Sequence, residues 1–239
     1  MSKTAVIIGA SSGIGKAMAE ALSLEGYTLG LTGRRITLLE KIKESLPGET
    51  FISKMDVSDA PTTSLQFEEL LEKMGAVDLV IISAGIGHPN PDLDSALELE
   101  TIDTNVSGFV VIADAAFRHF QKQGKGQLVG ISSIGALRGN GVGPAYSASK
   151  AFVSNYMEGL RIKALKEKLD ISITDVRPGF VDTPMAKGDG LFWVASPAKA
   201  ASQIIKAFKA GKSCVYVTRR WNLVAWLLRL MPTKIVAKI

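Results

Sequence analysis

The chain has 239 residues, of which 46% are hydrophobic and 21% charged, a balance that predicts one globular domain and excludes intrinsic disorder. Its single cysteine, Cys214, cannot form an intramolecular disulfide, and no Cys/His cluster has metal-ligand spacing, so we expect no metal and a reducing compartment. The net charge of +5 combines −4 over residues 1–189 (19 basic, 23 acidic) with +9 over residues 190–239 (nine basic, no acidic), which argues against nucleic-acid binding by the whole domain.

The start of the chain indicates where the protein resides. The first apolar run begins at Thr4, which leaves no room for a signal peptide in front of it. No run approaches the ~20 apolar residues that a transmembrane helix requires. The sequence therefore predicts a cytoplasmic protein.

Seven short apolar runs alternate with longer amphipathic segments. The predicted strands are Ala5–Ile8, Thr28–Leu31, Phe51–Ser53, Leu79–Ile82, Gln127–Ile131, Ile171–Val176 and Cys214–Val217. The predicted helices lie near 14–25, 35–46, 61–74, 95–121, 146–168 and 197–209. Short apolar strands between helices are typical of a parallel sheet that helices cover on both faces. We therefore predict an α/β fold with one doubly wound parallel sheet of about seven strands, whose carboxyl ends face the ligand.

A glycine-rich turn follows the first strand and opens the first helix. It reads Gly9-Ala10-Ser11-Ser12-Gly13-Ile14-Gly15. Glycines permit a tight turn and the close approach of a pyrophosphate, whose charge the free N–H groups and the positive dipole end of the helix would meet. A turn without further function is the alternative, but its place between strand and helix favours a nucleotide site.

Two further segments could contact the adenosine half of a dinucleotide. The second strand leads into Gly33-Arg34-Arg35, with no acid before Glu40, whereas NAD-binding folds place an acid there. Either arginine could pair with a 2′-phosphate, and we favour Arg34, so NADP(H) is expected over NAD(H). The alternative is that both arginines only solvate a helix start. After the third strand, Asp56-Val57 could accept a hydrogen bond from the adenine amine, although such pairs are common in loops.

A tyrosine and a lysine lie one helical turn apart near the start of the helix predicted at 146–168. They are Tyr146 and Lys150 in Gly143-Pro-Ala-Tyr-Ser-Ala-Ser-Lys150. A neighbouring cation lowers the pKa of a phenol from its usual value near 10, which suits an acid/base group at neutral pH. Spacing alone leaves open an ordinary pair of polar residues on a helix.

The joint pattern resembles the short-chain dehydrogenase/reductase family. The matching residues, from about residue 4 to 217, are Gly9-x-x-x-Gly13-Ile14-Gly15, Asn105, Ser133, Tyr146-x-x-x-Lys150, Pro178-Gly179 and Thr183. The resemblance implies a single-domain Rossmann-like fold, NAD(P)-dependent interconversion of a small-molecule carbonyl and its alcohol, and a homodimer or homotetramer. A non-catalytic NADP(H)-sensing or scaffolding protein with the same fold is the alternative.

The resemblance also implies roles for particular residues. Tyr146 would be the acid/base, Lys150 its activator, Ser133 the hydroxyl that orients the carbonyl, and Asn105 the residue that holds a water for proton relay, while Ser132 would be structural. The residues expected to contact the cofactor are Gly9, Ser11, Ser12, Gly13, Ile14, Gly15, Arg34, Arg35, Asp56, Val57, Ala84, Gly85, Tyr146, Lys150, Pro178, Gly179, Val181 and Thr183. Two departures, Ile8 for the family's Thr and Ile82-Ser83-Ala84-Gly85 for its Asn-Asn-Ala-Gly, suggest a divergent branch.

The sequence does not assign a single role to two segments near the C-terminus, the loop after the sixth strand and the last 21 residues. The loop after the sixth strand carries Met185, Leu191, Phe192 and Trp193, which could cover an apolar substrate or pack in a closed loop or dimer contact; it runs through Lys187-Gly188-Asp189. We expect a catalytic domain over 1–218 and a helical extension over 219–239 that is apolar on nearly every face. That extension would pack on the domain or in a homo-oligomer interface, which we favour, or make weak contact with a membrane surface.

Overall fold

Seven strands form a parallel sheet in the computed structural model, which describes residues 3–186 and 190–237. They are β1 (Thr4–Ile8), β2 (Thr28–Gly33), β3 (Thr50–Lys54), β4 (Leu79–Ile82), β5 (Lys125–Ile131), β6 (Asp170–Pro178) and β7 (Cys214–Val217). Their order in the sheet is β3-β2-β1-β4-β5-β6-β7, and every neighbouring pair is parallel. The predicted doubly wound sheet is confirmed. Its strand order reverses between β1 and β4, where such folds bind ligands.

The helices follow the predicted segments, with one interruption. They are α1 (Gly13–Leu24), α2 (Ile36–Ser45), α3 (Ala60–Met74), α4 (Ser95–Ile102), α5 (Gly108–Gln123), α6 (Pro144–Lys166), α7 (Pro197–Lys209), α8 (Trp221–Leu230) and α9 (Thr233–Val236). The segment predicted as one helix near 95–121 contains a π-helical stretch at Asp103–Ser107, between α4 and α5. Such widened turns often occur at functional sites, and this one contains Asn105.

The two faces of the sheet are buried under different helices. Ala5 and Ile7 of β1 pack in a core with side chains of α1, α2 and α7. Val6 and Ile8, whose side chains point the other way, pack with α3, α5 and α6. Burial on both sides explains why β1 is a continuous apolar run rather than an alternating one. The helices on both faces hold the strands in place, so the loops that leave the carboxyl ends of the strands start from fixed positions.

The C-terminal segment continues from β7 into α8 and α9. Within the part of the chain that the structure describes, no helix combines the length and apolar character needed to cross a bilayer.

Candidate active site

A cleft of about 650 Å³ opens at the carboxyl ends of the strands. Its wall begins at the glycine-rich turn after β1 and ends at Tyr146 and the loop after β6. This volume lies within the range of ligand-binding pockets, and the cleft lies at the switch point between β1 and β4. The residues that line it include most of the positions singled out from the sequence.

Close backbone contacts explain the glycines of the turn after β1. A Cβ atom at Gly9, which has a φ of +83°, would lie 2.6 Å from the amide nitrogen of Ala84. A Cβ at Gly15 would lie 2.3 Å from the carbonyl oxygen of Gly9. The backbone therefore passes through a space that has no room for a side chain, which lets α1 begin directly at the floor of the cleft.

The start of α1 has the properties of an anion site. Ser12, its N-cap residue, makes no side-chain capping bond, and the first turn contains no acidic residue. The backbone N–H groups of that turn lack partners one helical turn earlier, and they lie at the positive end of the dipole. Together with the narrow glycine turn, these residues fit the pyrophosphate of a dinucleotide.

The structure distinguishes the two arginines after β2. The Nη2 atom of Arg35 donates to the hydroxyls of Ser11, at 2.9 Å, and Ser12, at 3.0 Å. Arg34 also lines the cleft with an exposed side chain. Sequence reasoning favoured Arg34 for a phosphate and did not anticipate that Arg35 would be held over the glycine-rich turn. Both cations therefore line the cleft, and Arg35 is held against the glycine-rich turn.

Asp56 and Val57 line the same end of the cleft. The Oδ1 atom of Asp56 accepts hydrogen bonds from the backbone N–H of Ser58, at 3.2 Å, and from its hydroxyl, at 2.8 Å. The Asp56 carboxylate thus orders its own loop in addition to facing the cleft.

Tyr146 and Lys150 meet at the other end of the cleft, on the first two turns of α6. The Lys150 Nζ atom lies 5.8 Å from the centroid of the Tyr146 ring and donates to the carbonyl oxygen of Ile131 at 3.1 Å. A Cβ at Gly85 would lie 3.0 Å from Lys150 Nζ, and one at Gly87 would lie 2.5 Å from the Tyr146 ring. The loop after β4 therefore has to pass closely over both side chains.

Burial controls the protonation of this pair. It raises the pKa of Tyr146, and a hydrogen bond with Ser133 partly opposes that rise. Burial also lowers the pKa of Lys150 from 10.5 to about 8, although the charge of Asp175 acts in the opposite direction. The sequence suggested that Lys150 makes Tyr146 more acidic. In the chain by itself the pKa of Tyr146 moves the other way, because desolvation of the phenolate outweighs the opposing hydrogen bond with Ser133.

Adjacent serines after β5 have separate roles. Ser133 caps a short 3₁₀ turn, Ile134–Leu137, by accepting from the N–H of Gly135 at 3.0 Å. Its hydroxyl also reaches Tyr146. Ser132 points into the protein, where its hydroxyl bonds to a carboxylate oxygen of Asp175 at 2.5 Å. Both serines line the cleft, and they differ in that the Ser132 hydroxyl is bound to the buried Asp175.

Asn105 connects the π-helical stretch to two other parts of the site. Its Oδ1 accepts from the N–H of Ile86 at 2.8 Å, and its Nδ2 donates to the Ile86 carbonyl at 2.7 Å and to the Ser149 hydroxyl at 3.0 Å. Both amide protons are used, and the side chain is buried. The side chain therefore braces the loop after β4 against α6, a role that the expectation of a water-holding asparagine did not include.

The loop after β6 returns over the glycine-rich turn. Thr183 contacts this turn so closely that a Cβ at Gly13 would lie 3.0 Å from its methyl group. Val181 is buried and forms a bridge with Ala195. At the base of the loop, Gly179 packs directly against the ring of Trp221, which would lie 1.9 Å from a Cβ there.

An aromatic cluster closes this side of the cleft, at what we call the mouth: residues 179–186 and 190–195 together with Trp221 of α8. Phe180, Phe192, Trp193 and Trp221 contact one another with ring centroids 5.1 to 6.1 Å apart. Phe192 and Trp193 pack against other rings of the cluster and are still 49% and 39% exposed. Met185 lines the cleft. Lys187, Gly188 and Asp189 lie outside the described residues.

Two acidic residues that sequence reasoning missed support the site. Glu98 of α4 accepts from the backbone N–H of Ala145, at 2.7 Å, and from Asn90 Nδ2, at 2.7 Å, so it caps the first turn of α6 just before Tyr146. Asp175 is buried beside Ser132 and Lys150. Neither residue belongs to a local motif, so only contacts distant in sequence reveal them. Groups of three or more His, Cys, Asp or Glu that could bind a metal are not found among the described residues.

The fold and the sequence both match known proteins. The family described as short chain dehydrogenase matches residues 3–190. A 3-oxoacyl-(acyl-carrier-protein) reductase of Bos taurus is 30% identical over 189 residues, which cover 78% of this chain and 79% of that protein. The alcohol dehydrogenase of the archaeon Thermococcus sibiricus, complexed with 5-hydroxy-NADP, is 27% identical with a TM-score of 0.79, covering 90% of this chain and 96% of that chain. A short chain dehydrogenase/reductase of Burkholderia phymatum, in complex with NAD, shares the fold at 19% identity and a TM-score of 0.86, covering 95% of this chain and 92% of that one.

Proposed function

This chain belongs to the short-chain dehydrogenase/reductase family of hydride-transferring oxidoreductases, and we propose that it interconverts an apolar aldehyde or ketone and its alcohol with NADP(H). The observation that carries the proposal is the convergence of Ser133, Tyr146 and Lys150 at one end of a cleft whose other end is a glycine-rich anion site. A cleft of this kind can hold a dinucleotide along its length, with the nicotinamide end of the dinucleotide beside the Tyr146 hydroxyl.

The cofactor would lie along the carboxyl ends of the strands. Its pyrophosphate would meet the first turn of α1, its 2′-phosphate Arg34 with Arg35 nearby, and its adenine Asp56 and Val57. The further contacts we propose for the nicotinamide half come from Ala84, Gly85, Tyr146, Lys150, Pro178, Gly179, Val181 and Thr183. When bound, the reduced nicotinamide supplies hydride to the carbonyl carbon.

The protein's own groups then handle the oxygen of the substrate. Tyr146 donates a proton to the developing alkoxide, and its high pKa in the free chain keeps that proton in place until it is needed. Ser133, already in contact with Tyr146, orients the same oxygen. Lys150 stabilises the phenolate that remains, and Asn105 holds the loop after β4 against α6 so that the group stays assembled.

The mouth supports an apolar substrate. Met185 and Phe180 line the cleft, together with Ile134 and Val142. These side chains offer little to a charged or highly polar ligand. We propose residues 1–218 as the catalytic domain and 219–239 as an extension, in a cytoplasmic homodimer or homotetramer. Exposed apolar side chains on α4 and α6, such as Leu99, Phe152 and Ile162, are available for that assembly.

The direct test is a panel of aldehydes and ketones of increasing apolar length, followed by the absorbance of NADPH with NADH as the control. We expect turnover of several members, faster with NADPH than with NADH. A purified, folded chain that binds NADPH but turns over no member of the panel, in either direction, would favour the non-catalytic alternative.

The cofactor preference has its own test in the two arginines. Arg34→Ala should weaken NADPH binding by about 1.5 to 3 kcal/mol, the range for a hydrogen bond to a charged group, and leave NADH binding nearly unchanged. Arg35→Ala is the matched comparison. Because Arg35 holds Ser11 and Ser12, its loss should weaken both cofactors. Titrations that follow the fluorescence of each reduced cofactor measure these affinities, and an equal loss of both with Arg34→Ala contradicts recognition of the 2′-phosphate.

A further inference from the structure

Helix α8 has two apolar faces, and only one of them packs on the domain. The packed face carries Trp221 and Ala225, which are 3% and 2% exposed. We call the opposite side the outer face; it carries Leu223, Trp226, Leu227 and Leu230, which are 60%, 59%, 42% and 65% exposed. Their spacing of three, four and seven residues places these four side chains on one stripe of the helix.

The outer face belongs to a helix that is held firmly at both ends. Trp221 packs against Gly179 and Phe180 at the start of α8. At its end, Arg138 donates to the carbonyl oxygen of Met231 at 2.8 Å. The stripe is therefore presented outward by the fold and is not the side of a detached tail.

Cations flank this stripe along the chain, and two of them also contact the domain: Arg220 lies over the Trp193 ring and Arg229 donates to the Tyr216 hydroxyl. The described cations of the segment are Arg219, Arg220, Arg229 and Lys234. No acidic residue occurs between residues 190 and 239, and none of the ion pairs formed within residues 3–186 and 190–237 includes these cations. Two copies that met through their outer faces would bring like charges together without acids from this segment to offset them. The charge pattern therefore favours an anionic partner over a second copy of this chain.

We propose that the outer face of α8 docks on the surface of a membrane that contains anionic phospholipid. Leu223, Leu227 and Leu230 would enter the boundary between headgroups and acyl chains and Trp226 would lie at headgroup level, while the flanking cations meet lipid phosphates. Ile235, exposed on α9, extends the apolar surface. The 10 residues of α8 lie on the membrane and do not cross it.

Docking would bring the mouth of the cleft next to the lipid. The same helix whose outer face meets the membrane contacts Phe180, which lines the cleft, through Trp221. If the proposed reductase activity holds, the substrate class that this arrangement serves is an apolar aldehyde or ketone dissolved in the bilayer. This second step rests on the proposed function, whereas the docking itself does not.

Flotation of the full chain with lipid vesicles tests the docking. One set of vesicles contains phosphatidylcholine alone and the other contains phosphatidylcholine with phosphatidylglycerol, each in low and high salt. We expect binding to the anionic vesicles only, and at least about tenfold weaker binding in high salt because the attraction is screened. Trp226→Glu with Leu230→Glu should reduce vesicle binding by more than about tenfold, since it removes apolar burial and adds repulsion.

The matched control is Leu24→Glu, an exposed leucine in the last turn of α1, which should leave vesicle binding unchanged. Molecular mass in solution is measured for every variant. If wild-type protein does not float with anionic vesicles, the proposal is wrong. It is equally wrong if the double variant binds vesicles normally, or if its main effect is to dissociate an oligomer. Turnover of a water-soluble aldehyde should be unaffected by the double variant, so a chain that docks but reduces nothing refutes the reductase and leaves the docking intact.

Discussion

The floor and the mouth of the cleft are built by different kinds of contact. The floor consists of the glycine-rich turn and the ends of β4, β5 and α6, where backbone geometry and hydrogen bonds place Asn105, Ser133, Tyr146 and Lys150. The mouth depends on aromatic rings from segments far apart in sequence, chiefly Phe180 and Trp221. The groups that we propose to react are held by backbone geometry and hydrogen bonds, whereas access to them depends on aromatic packing between segments distant in sequence.

Backbone conformation shows the same contrast. At the floor, positive φ angles occur at glycines, namely Gly9 and Gly13. At the mouth, Trp193 has a φ of 53°, a conformation that a bulky side chain rarely adopts. Its ring packs on Trp221 and beneath the guanidinium of Arg220, 5.2 Å away. The mouth therefore depends on contacts with α8 to keep its shape.

The largest expected effect is at the floor. Tyr146→Phe should lower kcat by about 10²- to 10⁴-fold, the usual contribution of a general acid, and leave NADPH binding nearly unchanged because the ring remains. Tyr156→Phe is the control, since Tyr156 lies on the same helix with its hydroxyl bonded to Asp114. Steady-state kinetics with the best substrate of the panel measure both variants. Wild-type turnover by Tyr146→Phe would show that another group donates the proton.

We expect substitutions at the mouth to change the stability of the fold more than the rate of catalysis. Trp221→Ala removes a buried ring and should lower the free energy of unfolding by about 3 to 5 kcal/mol. Trp226→Ala removes the same ring from the exposed side of α8 and should cost no more than about 0.5 kcal/mol. Urea unfolding compares the two. Similar losses would mean that the two faces of α8 are equally covered, which would remove the distinction between packed and outer face.

A second stability effect at the floor depends on pH. Burial lowers the pKa of Lys150 to about 8 from its usual 10.5, so between these pH values the unfolded chain keeps a proton that the folded chain has lost. Wild-type stability should therefore rise by up to about 3 kcal/mol relative to Lys150→Met as the pH increases from 8 to 10.5. Below pH 8 the difference between the two proteins should be constant. Urea unfolding across this range tests the prediction, and a difference that does not change with pH contradicts it.

The smallest expected effect concerns the support of the floor. Glu98→Gln should lower the free energy of unfolding by about 1 kcal/mol, because the charge-assisted bond to the first turn of α6 is weakened. If Glu98 also positions Tyr146, kcat should fall while the affinity for NADPH stays constant. Glu100→Gln, in the same helix and outside the cap, serves as the control. Equal behaviour of the two variants would assign no special role to Glu98.

Much of the floor follows from sequence alone, for a physical reason. The spacing of apolar residues differs between a buried strand and a helix. The seven strands and the helices between them can therefore be predicted from short stretches of sequence. Closely spaced glycines indicate where the backbone passes so close to other atoms that a side chain has no room. This pattern predicted the turn from Gly9 to Gly15. Tyr146 and Lys150 lie one turn apart on a single helix, so their meeting required no knowledge of the fold.

Other features were decided only by the tertiary structure, because they depend on what a side chain meets far away in sequence. Arg35 reaches Ser11 across 24 positions, and Glu98 caps a helix 47 positions later. The direction of the pKa shift of Tyr146 depends on desolvation, which no spacing of residues encodes. The two apolar faces of α8 look equivalent in the sequence. They differ because Gly179, 42 positions earlier, leaves a space that the ring of Trp221 fills.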